Sequence, residues 1–283
     1  MAAPIFLIRR DIAILVMVHT FGGCTAAQVA RRLFPTLRGP RVCYRRVAEL
    51  VAQGYLTSRR LPAMTGVGSG KLFLSLTPRG RSVAAAAQGL GVHTLPRVRA
   101  NSPRFIEHHL AIGDTRIALE LAADRSPLFA ISEWCGDRQL VITVIEAGKA
   151  NVVLVPDSSF NLLVAGRRGS QLLLEQDTGS LTNRPRMKAR LLGYLRHARS
   201  AQVLVLFVTT TEERVTALAK LTADAGKADG LDARVVWFAT NQRVRLGDPL
   251  HERIWQVPGV LAPVAIADIL GTGASVPSGG LLA

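Results

Sequence analysis

Acidic residues are scarce at the start of this chain. Residues 1–100 hold 15 Lys+Arg and only two acids, Asp11 and Glu49, a balance of +13. Residues 101–283 hold 20 and 18, so nearly all of the formal +15 sits in the first third. Such a local field favours a polyanion, nucleic acid before membrane, because no basic amphipathic surface helix accompanies it. Cysteine is scarce too. Cys24, Cys43 and Cys135 show neither CxxC nor Cys/His ligand spacing, which argues against a zinc site and leaves free thiols in a reducing cytoplasm as the expectation. Long apolar runs are missing as well. IAILVMV after Arg9-Arg10 falls far short of the ~20 residues of a membrane span. Phe21-Gly22-Gly23 ahead of Cys24 is a poor lipoprotein cleavage context, so a buried helix is expected there. GVGSG at 66–70 lacks the Lys-Ser/Thr and helix of a phosphate loop. Trp134, Trp237 and Trp255 lack the regular spacing of a stacking platform and read as core. No internal repeat is present.

What is there begins with RGPRVCYRRVAELVAQGYLTSRR, Arg38 to Arg60. At 100° per residue, Cys43, Val47, Leu50 and Val51 share one side of a helix, with Arg41, Arg45, Ala48 and Ala52 on the other. The small alanines let the helix axis approach a surface, and Gly54 suits the left-handed residue that ends it. Ahead of it, RRDIAILVMVHTF reads as a central core helix. Thr25 opens a second helix, with Gln28 at capping-box spacing. Behind it come two strand-like runs, Tyr55–Thr57 and Lys71–Leu76, then a helix opened by Thr77-Pro78. That order and SLTPRG at 75–80 resemble a bacterial winged helix-turn-helix, expected over residues 8–90. Such a fold implies that Arg41 and Arg45 approach base edges and Tyr44 a phosphate or sugar. Arg38, Arg59, Arg60 and Lys71 would contact the DNA backbone.

Residues 91–103 read as a linker, 104–270 as a second domain and 271–283 as a small, polar tail. The second domain opens with a helix and continues through strand-like runs at 128–134, 140–146, 152–164 and 171–174. A helix at 186–198, an apolar strand at 203–209, a helix at 212–225 and a strand at 235–240 follow. The expected class is α/β (α+β) with a central mixed sheet. Adjacent strands lie ~4.8 Å apart, so strand-end carboxylates such as Asp157, Glu175 and Asp177 can share one divalent cation. Pro156-Asp157 is equally a turn former, and His108-His109 on a helix read as helix-packing or surface residues.

Pro156-Asp157 followed by Glu175 resembles the PD-(D/E)xK nuclease superfamily. The resemblance implies metal binding by Asp157 and Glu175, with Asp177 standing where that superfamily usually has lysine. Lys188 on the next helix is the candidate replacement, or an ordinary surface lysine. Taken together with the N-terminal module, HHLAIGD at 108–114, Glu133-Trp134, VPDSSF at 155–160, LLLEQDTGS at 172–180 and KARLLGYLRH at 188–197 resemble the replication-relaxation family. This implies a cytoplasmic binder of double-stranded DNA in plasmid or mobile-element replication and DNA relaxation. A relaxase or replication protein is the implied partner, with a homodimer compatible and no membrane. The rival expectations are an Mg²⁺-dependent nickase or endonuclease, with Mg²⁺ its only cofactor, and a transcriptional regulator carrying a degenerate nuclease-like domain.

Overall fold

Thr25 shows how directly local chemistry sets the elements. In the computed structural model its side chain accepts from the Gln28 N–H at 3.1 Å, and the Gln28 carboxamide accepts from the Thr25 N–H at 2.9 Å. This is the capping box expected from the sequence. The structure describes residues 6–61, 70–90, 103–136, 140–145, 152–179 and 183–270. The loop holding Gly66 and Gly68, the linker apart from Pro103, and the tail from 271 lie outside the described residues.

Two compact units divide the chain, residues 1–113 and 114–283. The first runs α1 (Arg9–Thr20), β1 (Cys24–Thr25), α2 (Ala26–Leu33), α3 (Gly39–Ala52), β2 (Leu56–Arg60), β3 (Leu72–Leu76) and α4 (Pro78–Ala87). The division falls inside α5 (Pro103–Arg125). The three strands form a small antiparallel sheet in the order β1-β3-β2. Ile14, Leu15, Val29, Cys43, Val47, Leu50 and Leu74 are buried and form its core. The turn into α3 requires glycine at 39, where a Cβ would lie 2.1 Å from the Phe34 carbonyl oxygen. Gly54, at φ +69°, follows the end of α3 in the left-handed region. Thr77 caps α4 by accepting from the Gly80 N–H at 3.1 Å.

The second unit continues with β4 (Phe129–Gly136), β5 (Ile142–Val144), β6 (Val152–Leu154), β7 (Ser158–Val164), β8 (Arg167–Gln176) and α6 (Arg184–Ala201). Next are β9 (Leu204–Thr209), α7 (Glu212–Asp229), β10 (Val236–Thr240), α8 (Asn241–Leu246) and α9 (Ile266–Leu270). Its central sheet has the order β10-β9-β8-β7-β4 and is mixed. β8, β9 and β10 are parallel, while β7 and β4 are added antiparallel. Leu173, Val205, Phe207, Val236 and Phe238 share one core with Leu191, Tyr194 and Leu195 of α6 and Val215 and Leu218 of α7. Phe160, Leu162, Leu172 and Leu174, of the opposite phase, are buried too. Burial of both phases explains the unbroken apolar run LVLFVT in β9. Trp237 and Trp255 lie in the core as expected. Trp134 instead stacks on Phe160, with ring centroids 4.7 Å apart, and carries the Arg116 guanidinium over its ring at 4.8 Å.

Candidate nucleic-acid interface and acidic centre

Helix α3 sorts its residues as its period requires. Cys43, Val47 and Leu50 are buried, while Arg41, Tyr44, Arg45, Ala48 and Ala52 are exposed. Tyr44 keeps 47 % of its surface in solvent. Arg45 has Glu49 at 3.9 Å, but its own side chain is 70 % exposed, so that pair restrains it little. Arg46 points the other way. It pairs with Asp11, which is fully buried in α1, and with Glu49. Asp11 also accepts from the Ile8 N–H at 2.9 Å. The Asp11 hydrogen bond holds the Arg46 guanidinium above its ordinary pKa. This buried pair fixes the rotation of α3 about its axis, and so decides which arginines face out. The sequence alone marks Asp11 only as an interruption of an apolar run.

Four further cations of the first unit flank α3 or lie on the β2–β3 hairpin. Arg38 is exposed at the N-cap of α3, Arg59 and Arg60 end β2, and Lys71 precedes β3; all four are exposed. Arg60 donates to the Gly70 carbonyl at 3.4 Å, a contact at the edge of hydrogen bonding. Among the described residues, no carboxylate lies within ion-pair distance of Arg38, Arg41, Arg59 or Lys71. His109, expected to pack or to lie at the surface, brings a ring nitrogen to the Gly23 carbonyl at 3.0 Å.

In the second unit the acids do gather. The register Ser158↔Leu174 and Ser159↔Leu173 sets Asp157, just before β7, opposite Glu175 near the end of β8. Asp177 follows two residues after Glu175, and its N–H continues the β8–β9 ladder to the Val208 carbonyl at 2.7 Å. Each carboxylate already has donors. Asp157 Oδ2 accepts from the Gln176 N–H at 2.7 Å. Glu175, 1 % exposed, accepts from Arg190 at 2.5 Å and from the Tyr194 hydroxyl, both on α6. Asp177 accepts from Thr209 at 2.7 Å, from Arg214 through two N–H groups, and from the Gly179 N–H at 3.1 Å.

These surroundings push the two neighbours apart. Burial drives the Glu175 carboxyl well above its usual range, and the charges of Asp157 and Asp177 add to that against the pull of Arg190. Burial acts in the same direction on Asp177. There the hydrogen bonds from Arg214 and Thr209, with the Arg214 charge, prevail and hold it below its usual range.

Lys188 is exposed on α6. It lies 200° around the helix from Arg190, which shares the inward phase of Tyr194 four residues on. The cation reaching Glu175 is therefore Arg190. The inward phase of α6, marked by Met187, Leu191 and Tyr194, is the sequence signal that points to it. A divalent ion does not fit these acids as they stand. Its ligands would have to be oxygens now accepting from Arg190, Tyr194, Arg214 and Thr209, and two guanidinium charges would face it. Among the described residues, no group of three or more His, Cys, Asp or Glu is placed to hold a metal. Gln176, between the two acids, points to the other sheet face. It accepts from Thr115 at 3.0 Å and donates to Asn241 at 2.8 Å, tying α5 and α8 to the strand end.

Against this geometry, a family model described as replication-relaxation matches residues 15–204. The chain belongs to the replication-relaxation family. That match takes in α3, the β2–β3 hairpin, all three acids, Arg190 and Tyr194, whereas Arg214 and α7 lie beyond it. Membership in the replication-relaxation family points to a role in replication or DNA relaxation. Neither curated proteins nor solved structures yield a match. Among the described residues, no helix is long and apolar enough to cross a membrane.

Proposed function

We propose that this member of the replication-relaxation family binds double-stranded DNA through its first unit, in plasmid or mobile-element replication or DNA relaxation. The order of α1 to β3 is read as a winged helix-turn-helix, with residues 8–90 as the DNA-binding domain and 104–270 as a nuclease-like domain. One observation carries the reading: α3 turns Arg41, Tyr44, Arg45 and Ala48 outward, while Arg46 is anchored inward on Asp11. Arg41 and Arg45 then reach base edges and Tyr44 a phosphate or sugar. Arg38, Arg59, Arg60 and Lys71 contact the backbone. A cytoplasmic site of action, with a relaxase or replication protein as partner, goes with this role.

The test is binding selection on random duplexes followed by fluorescence anisotropy. Arg45→Ala is expected to cost about 1–3 kcal/mol on the preferred sequence and to blur its preference, as for removal of a bidentate base pairing. Unchanged affinity and preference would remove α3 from the groove. A second reading, a metal-dependent nickase in which Asp157, Glu175, Asp177 and Lys188 would act with Mg²⁺, has the pairing of Asp157 opposite Glu175 in its favour and requires Glu175 and Asp177 to be released from Arg190 and Arg214. It predicts nicking of supercoiled plasmid in Mg²⁺ or Mn²⁺ that Asp157→Ala abolishes. The arginine-held acids favour the binder, for which the plasmid stays intact.

A further inference from the structure

The β5–β6 ribbon has one covered side and one bare side. Its inner phase, Ile142, Val144, Val152 and Leu154, packs on the core that includes α6. Gly193 of α6 makes room for it, since a Cβ there would lie 2.9 Å from Leu154. The outer phase is apolar and uncovered: Val141 is 67 % exposed, Ile145 75 %, Val153 61 % and Val155 44 %. The register Ile142↔Leu154 brings Val141 beside Val155 and Thr143 beside Val153, so these residues form one continuous face. Neither strand pairs with any other strand among the described residues. Residues 140–145 and 152–155 contain no charged side chain and no proline, the devices that usually keep an open strand edge from pairing.

We propose that this face is where a second copy of the chain docks, ribbon against ribbon across a two-fold axis. Charge selects the occupant. The first third, at +13, repels its own copy, whereas residues 101–283 carry only +2 and the ribbon itself is neutral. A neutral apolar face has nothing to attract a nucleic acid, and it is complementary to itself about a two-fold axis. Four exposed side chains on a two-stranded ribbon make a face well short of the ~800 Å² per partner in a standard interface. The dimer is therefore expected to be a weak one. It forms without DNA and does not rest on the reading of α3.

Light scattering on the nuclease-treated full chain, from about 1 to about 100 µM and at about 0.5 M salt to screen charge contacts, tests it. The mass is expected to rise with concentration toward twice 30.4 kDa. Amide exchange at 141–145 and 152–155 slows in parallel. Ile145→Lys with Val153→Lys weakens association by about tenfold or more with an unchanged melting curve, and Leu261→Lys, at an exposed site elsewhere, does not. A chain monomeric at the highest concentration overturns the proposal. So does a dimer that survives both lysines, or one whose exchange slows only outside the ribbon. A monomer that floats with phosphatidylcholine vesicles assigns the face to lipid and overturns it as well.

Discussion

Arginine does opposite work in the two units. In the second, Arg190 and Arg214 are turned onto buried carboxylates, and Arg196 and Arg234 onto Asp229 and Asp232. Their charge is consumed within the fold. In the first unit Arg46 is used in this way, while Arg38, Arg41, Arg59 and Lys71 face solvent without a carboxylate in reach among the described residues. The same side chain is a structural cation where acids are plentiful and an outward field where they are almost absent. The uneven spread of Asp and Glu, more than that of Arg, therefore decides which surface is left to meet a polyanion.

The contrast has consequences that scale with burial. The largest is expected for Asp11→Ala, which leaves Arg46 without its buried partner. It should destabilise the first unit by about 3–5 kcal/mol, read as an early transition in urea unfolding. If stability changes by less than about 1 kcal/mol, the pair does not set the rotation of α3.

A smaller effect separates the two neighbouring acids by pH. Glu175 has a raised pKa in the fold, so unfolding releases its proton once pH exceeds the ordinary value near 4.5. Wild type should then lose stability relative to Glu175→Gln as pH rises from there to the folded pKa, by at most ~1.4 kcal/mol per pH unit. Asp177 has a lowered pKa, so its contribution is present above 3.8 and fades as pH falls through the folded value. Asp177→Asn should converge with wild type only at that acid end. Parallel pH profiles for the two variants would show that the acids share one environment.

Much of the first unit is legible in the sequence because its determinants are local. The period of 41–53, the Thr25–Gln28 box and the Thr77-Pro78 start each act within one or two helical turns. The strands of the second unit are legible for the same reason. What the sequence hides acts across the chain: Asp11 meets Arg46 at a separation of 35 residues, Glu175 meets Arg190 at 15, and Asp177 meets Arg214 at 37. Spacing in the sequence carries no trace of such pairs, and the nuclease-like motif points to Lys188 as the cation instead. The left-handed Glu133, at φ +52° in an irregular stretch of β4, is equally hidden, because no glycine marks it. Short elements such as β1 and α8 fall below the length at which a period can be counted.

The salt dependence of duplex binding by the full chain tests the central claim most directly. If the outward cations of the first unit neutralise phosphates, Arg38→Ala with Arg59→Ala should flatten the slope of log K against log salt by about 2, close to 0.9 for each phosphate left without its cation. Lys188→Ala, removing an exposed cation from the second unit, should leave the slope unchanged. An unaltered slope in the double variant, or an equal flattening from Lys188→Ala, would contradict the account.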